Sequence, residues 1–203
     1  MIEIENKLYE KGYKSIACID EVGRGCLFGD VVACAIIMPK GLTIPEVKDS
    51  KKLTPKKRET LYDIILENSM AYGIGRVDNK TIDEINIRQA TLEAMKLAVE
   101  NLKDKDSKTI NPDFLLIDAE TVNVDIDQKG IKGGDNSSHG IACASIIAKV
   151  YRDKLCNQWN DEYPEYKIGK HKGYGTKDHI KALKEYGPSD LHRHTFLRKI
   201  LKG

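Results

Sequence analysis

The stretch at residues 15–39, SIACIDEVGRGCLFGDVVACAIIMP, decides the fold. An apolar run ends on two acids, Asp20 and Glu21, and three glycines follow at Gly23, Gly25 and Gly29. Glycine-rich turns after strands commonly cradle phosphates with backbone N–H groups, so a nucleotide-binding fold is the first candidate. It fails on three counts. The spacing is G-x-G-x-x-x-G, not the G-x-G-x-x-G of the dinucleotide fingerprint. Residues 31–38 are β-branched and closed by Pro39, which reads as a strand where the fingerprint needs a helix. Two carboxylates at the lip would also repel a bare pyrophosphate unless cations stood between them. The stretch therefore predicts a hairpin whose entry strand delivers acids to a metal.

At 203 residues the chain can hold one full domain with a small appendage. A composition of 40% hydrophobic and 32% charged residues is that of a globular protein. No apolar run approaches the roughly 18–20 residues of a membrane span. The opening MIEIENKLYEKGYK is too polar for a signal peptide, so the expected location is cytoplasmic. Five cysteines, odd in number and without a C-x-x-C pair, predict buried free thiols. The net charge of +2 hides an uneven distribution: 48–58 (KDSKKLTPKKR) and the stretch after Lys167 are basic. Positive charge beside acids that need metal points to a polyanionic substrate. A solvated lysine-rich face explains the charge equally well.

Strands are expected over 16–19, 31–38, 71–77 and 114–117. A helix is expected over 54–68, with Thr54 as N-cap and Pro55 at the first helical position. Apolar residues at Ile87, Ala94, Met95, Ala98 and Leu102 predict an amphipathic helix over 81–102. A further helix covers 141–159, and a short one covers 177–186, ended by Gly187 and Pro188. Hairpin strands followed by mixed strands and helices predict an α/β core.

Successive strand residues point to opposite faces, so Asp20 and Glu21 serve one site only if the strand ends there and turns at Gly23. Asp118 closes FLLID as Asp20 closes SIACID, so two strands can bring both carboxylates to one sheet edge. Hard cations such as Mg²⁺ want such oxygen ligands, and a pair of them clamps the oxygens of phosphodiester hydrolysis. Asp135, after IKGG, is a third acid near a helix start, with a capping role as its equal alternative. Asp125 and Asp127 read as exposed loop acids. Asp153 stands in a helix beside Arg152, either partly exposed or near the metals. His139 reads as a hydrogen-bonded loop histidine, with proton transfer as the rival reading. His192 and His194 lack a third ligand near them and read as packing residues.

A series of blocks makes the chain resemble bacterial ribonuclease HII, the type 2 ribonuclease H family. They are DEVGRG at 20–25, KDSKKLTPKKRE at 48–59, IDEINIRQATLEAM at 82–95, LLIDA at 115–119, ASIIAKVYRD at 144–153, HKGYGT at 171–176 and GPSDLHRHTF at 187–196. The resemblance implies a ribonuclease H-like mixed β-sheet flanked by helices over 1–163, followed by a small basic helical domain over 164–203. It implies that Asp20, Glu21, Asp118 and Asp135 are catalytic and bind Mg²⁺ or Mn²⁺, with Asp153 in reserve. It further implies a two-metal endonuclease that hydrolyses the RNA strand of RNA–DNA hybrids. The family also cuts DNA duplexes 5′ of a single ribonucleotide, leaving 3′-hydroxyl and 5′-phosphate ends.

Gly23, Arg24 and Gly25 match the family motif that senses the ribose 2′-hydroxyl, the group that separates RNA from DNA. Glycine lets backbone approach a sugar without a Cβ in the way. Tyr174 matches the tyrosine that packs on the deoxyribose at the RNA–DNA junction. Lys51 and Lys52, before a helix N-terminus, suit phosphate contacts. Asn86 lies in a family block, with substrate backbone contact or a helix-surface role as its two readings. Departures from the family stand at Cys26, Phe28 and Asp30, where small residues or proline are common, and at Ser137, where lysine is frequent. Phe28 and Gly29 resemble ribonuclease HIII, a branch without the G-R-G triplet. The alternatives are thus an HIII-like hybrid nuclease without junction activity, or a non-catalytic nucleic-acid-binding protein. With no exposed apolar stripe, a monomer is expected.

Overall fold

The structure, a computed structural model, describes residues 1–47 and 53–201, so Lys51 and Lys52 lie outside the described residues. One five-stranded sheet is formed by β1 (Ile16–Val22), β2 (Val31–Ile37), β3 (Ala71–Val77), β4 (Phe114–Asp118) and β5 (Asp127–Ile131). Its order is β3-β2-β1-β4-β5. The predicted hairpin is present: β1 and β2 pair antiparallel, from Cys18 opposite Ile36 to Val22 opposite Val32. β3 continues that antiparallel arm, whereas β4 lies parallel to β1 and β5 parallel to β4. The mixed α/β architecture is as expected.

β5 has no counterpart in the sequence reading. Its residues DQKGI carry no apolar alternation and are largely exposed. An edge strand has a paired neighbour on one side only and no buried face to fill, so polar residues suffice.

Helices cover both faces. On one face, Cys18, Cys34, Ile36, Phe114 and Leu116 pack against α1 (Glu3–Glu10), α2 (Pro55–Asn68) and the long α5 (His139–Glu162). On the other, Ala17, Ile19, Ala33, Ala35, Leu115 and Ile117 meet α3 (Asn79–Glu100) through Ala90, Ala94, Met95 and Ala98. Each fully buried leucine or isoleucine contributes about 1.5–3 kcal/mol of transfer free energy. α3 lies unusually close to the sheet because β3 carries Gly73 and Gly75, where a Cβ would strike the α3 backbone at Ala98 and Ala94. Thr54 caps α2 through the Lys57 N–H, with Pro55 at the first position as expected. All five cysteines are buried and free.

A short α4 (Gly134–Ser137) precedes α5. The chain after α5 forms a 3₁₀ turn (Pro164–Tyr166), α6 (Ile168–His171), α7 (Lys177–Tyr186) and α8 (His194–Leu197). These elements share one apolar cluster with the 23–30 loop and α5: Leu27, Phe28, Leu155, Cys156 and Trp159 meet Tyr166, Ile168, Leu183 and Leu197. No helix among the described residues is long and apolar enough to cross a membrane.

Candidate active site

Asp20 and Asp118 meet where the parallel strands β1 and β4 run out of shared register, one residue beyond the Ile19–Ile117 pair. Parallel neighbours lie about 4.8 Å apart, so the two aspartates are adjacent on the face that α5 covers. Ser145 of α5 hydrogen-bonds to Asp20. Asp118 accepts the Gly134 N–H at 2.8 Å, which draws α4, and with it the buried Asp135, to the same edge.

β1 does not end at the acids, contrary to the expectation that a shared site requires the strand to end there. Its ladder with β2 continues through Glu21–Ala33 to Val22–Val32, because β2 still offers pairing partners there. Glu21 therefore leaves on the α3 face. The acids act on one another nonetheless. Burial, followed by the charge of Glu21, raises the Asp20 carboxyl well above the usual carboxylate range, and Asp118 adds to the rise. Burial also raises Glu21, with Arg24 opposing it.

Each acid is held by protein partners for the present. Asp20 accepts the Glu21 N–H at 2.8 Å, and Asp135 accepts the Asn136 side-chain amide at 2.9 Å. Arg24 Nη1 lies 3.3 Å from Glu21 Oε1 and 3.6 Å from Glu120, which also stands 3.8 Å from Arg88. Accordingly, among the described residues no three His, Cys, Asp or Glu side chains are already gathered as a metal cage. The donor set nevertheless fits a hard divalent cation. It is all oxygen, its charges repel one another, and the buried Glu21 Oε2 has no hydrogen-bond partner.

The loop after the acids is clamped from within. Gly23 has φ +96°, and a Cβ there would collide with the Arg152 side chain. Arg152, 0% exposed, donates to the carbonyls of Asp30 (2.9 Å), Phe28 (2.9 Å) and Lys172 (2.8 Å). Arg193, also 0% exposed, donates to Gly29 (2.9 Å) and Arg24 (3.1 Å) carbonyls. Backbone bridges join Cys26 to Tyr174 and Phe28 to His192. The departures from the family pattern in this loop, Cys26, Phe28 and Asp30, all have partners here. Cys26 bonds the Lys172 carbonyl, the Phe28 ring meets the His192 ring edge-on at 4.7 Å, and Asp30 binds Arg76 at 2.6 Å.

The clamp brings Tyr174, 43% exposed, over the G-R-G triplet: a Cβ on Gly25 would sit 3.9 Å from its ring. Asn86 interrupts α3 with φ +68°, and its Oδ1 accepts the N–H groups of Arg88 and Gln89. It thus caps the second half of the helix, which starts beside Arg88. Asp153 pairs with Lys149 at 2.6 Å and lines a separate groove of about 370 Å³ with Arg58, Lys154 and Lys172. Asp125 and Asp127 are exposed, and Asp127 accepts the Tyr13 hydroxyl at 2.6 Å. His139 is buried with Nε2 accepting the Ile44 N–H at 3.0 Å, hydrogen-bonded as expected but in the first turn of α5 and not in a loop.

Sequence reasoning missed Ser145, Glu120, Arg152 and Arg193. Only Arg152 left a signal, a cation inside the small apolar face of α5.

A sequence model of the Ribonuclease HII family matches residues 17–199. The chain is 58% identical over 200 residues to Ribonuclease HII of Alkaliphilus oremlandii (strain OhILAs), covering 98% of each chain. The crystal structure of ribonuclease H2 from Pyrococcus horikoshii OT3 is similar with a TM-score of 0.75 at 25% identity, over 93% of this chain and 98% of that one. A crystal structure of Bst-RNase HIII in complex with Mn²⁺ shares the fold, with a TM-score of 0.66 at 16% identity over 96% of this chain and 71% of that one.

Proposed function

This chain belongs to the ribonuclease HII family, and on that premise we propose that it hydrolyses the RNA strand of RNA–DNA hybrids and cuts DNA duplexes 5′ of a single embedded ribonucleotide. One observation carries the reading: the loop Gly23-Arg24-Gly25 runs directly from the acid cluster to the ring of Tyr174. A sugar identified by its 2′-hydroxyl at that loop places its 5′-phosphate toward the acids, so recognition and hydrolysis are one geometry.

Asp20, Glu21, Asp118 and Asp135 would hold the divalent ions, Mg²⁺ or Mn²⁺. When bound, two such ions supply an activated water and charge stabilisation for the leaving 3′-oxygen, giving 3′-hydroxyl and 5′-phosphate ends. The remaining work belongs to the chain. Ser145 and the Glu21 N–H orient the Asp20 carboxylate. Gly134 orients Asp118. Arg24 balances Glu21 and carries the backbone that meets the ribose. The Arg152 and Arg193 clamp holds that backbone still, so the loop loses little freedom on binding. Tyr174 offers its exposed ring to the deoxyribose on the other side of the junction.

The test uses an end-labelled DNA duplex with one ribonucleotide, an RNA–DNA hybrid and an all-DNA duplex, with Mg²⁺, with Mn²⁺ and with chelator. Metal-dependent cutting at the 5′ side of the ribonucleotide, with the all-DNA duplex intact, is expected. Cleavage of the hybrid alone overturns the junction assignment. Binding without cleavage of either substrate overturns the nuclease reading.

A further inference from the structure

Behind Tyr174 lie two histidines that the chemistry above leaves unused. His179 of α7 and His192 of the following loop are each 0% exposed. The Ser189 N–H donates to His192 Nδ1 at 2.9 Å, which makes that nitrogen an acceptor and puts the proton on Nε2. His192 Nε2 stands 3.1 Å from His179 Nε2, so His192 donates and His179 accepts. The remaining His179 proton lies on Nδ1 and donates to the Tyr174 carbonyl at 3.0 Å. A single pair of tautomers satisfies every contact.

We propose that His179 and His192 are positioning residues for Tyr174, a neutral two-imidazole relay that runs from the Ser189 amide to the Tyr174 carbonyl and fixes the ring over Gly25. The inference rests on the reading that Tyr174 meets the sugar at the junction. Two apolar residues could fill the same space, but they would leave the Tyr174 carbonyl bonded only to the Thr176 N–H, at 2.8 Å. The second donor removes the remaining freedom of that peptide. The relay is also braced from the loop side, since Phe28 packs on His192 at 4.7 Å and His171 stacks on His179 at 4.5 Å. Burial supports the neutral state, lowering His179 to about 4 and His192 to about 3.

The experiment compares His179→Ala and His179→Asn, each in the native and the Tyr174→Ala backgrounds. Single-turnover cleavage is read on the single-ribonucleotide duplex and on the hybrid, and ¹⁵N and ring-proton NMR on the imidazoles and Tyr174. Loss of the donor should lower the duplex-to-hybrid rate ratio about tenfold, as misplacement of a contact residue does. Asn, whose amide can replace the Nδ1 donor, should recover most of that loss. In the Tyr174→Ala background neither variant should change the ratio further. An equal loss in that background, or a Tyr174 ring whose shifts ignore His179→Ala, overturns the relay. If the native protein leaves the single-ribonucleotide duplex uncut, the functional reading fails, and the imidazole tautomers and Tyr174 shifts still decide the relay.

Discussion

Two buried polar clusters flank the 23–30 loop, and they are built in opposite ways. In the acid cluster, like charges crowd a sheet edge, burial raises Asp20 and Glu21, and Glu21 Oε2 has no partner. In the arginine–histidine cluster, every nitrogen of Arg152 has an acceptor and the two histidines satisfy each other. Among the described residues of this cluster, Nη2 of Arg193 and Nδ1 of His171 lack one. A buried polar group with its partner built in is scaffold. One held in mutual repulsion is waiting for a ligand, and stability is sacrificed there for function.

The largest test of that contrast is Asp20→Asn. It should lower kcat by about 10³-fold or more while duplex affinity stays within about threefold. Without divalent metal, the same variant should melt higher than the native protein, because a repelling buried charge is gone. Near-normal cleavage, or a lower melting temperature, breaks the comparison. Next comes Arg152→Met, which leaves the Asp30, Phe28 and Lys172 carbonyls without their buried donor. Urea denaturation should show a loss of about 3 kcal/mol. A loss below about 1 kcal/mol would mean that the loop does not depend on the clamp.

The smallest effect is on pH, and its sign differs between the clusters. His179 and His192 have folded values below the ordinary 6.5, so the unfolded chain binds more protons as pH falls from 6.5 toward about 4. Each imidazole then withdraws on the order of 1 kcal/mol between pH 6.5 and 5. Asp20 and Glu21 have folded values raised above 3.8 and 4.5, so their contribution is present at low pH and lost as pH rises through the raised values. Thermal melts with and without Mg²⁺ separate the two. The gain from Mg²⁺ should grow with pH as the acids ionise, while the acid-side loss from the histidines should persist in both. An Mg²⁺ gain that is flat in pH counts against the acids as its site.

Much of this was legible in the sequence for a physical reason. Strands β1 to β4 and the helices at 54–68, 141–159 and 177–186 announce themselves through local pattern: β-branched runs, a Thr54–Pro55 cap, a Gly187–Pro188 stop. Asp20 and Asp118 were readable as a pair because each follows a run of four fully buried residues within its strand. β5 was not, since an edge strand needs no apolar pattern. The break in α3 was not either, because the side chain that caps its second half, Asn86, looks like any polar helix-surface residue until the backbone turns there.

What the sequence by itself determined is therefore local: most of the elements, the acids that close the buried apolar runs of β1 and β4, and the motif blocks that carry the family resemblance. Only the tertiary structure decided which residues serve the site from a distance. Arg152 lies 129 positions from Gly23 in sequence, yet its guanidinium occupies the space a Cβ there would need. Tyr174 reaches Gly25 through a bridge to Cys26, and His192 reaches Tyr174 through His179. Such contacts depend on which surfaces meet when helices close over a sheet, and no local periodicity records that choice.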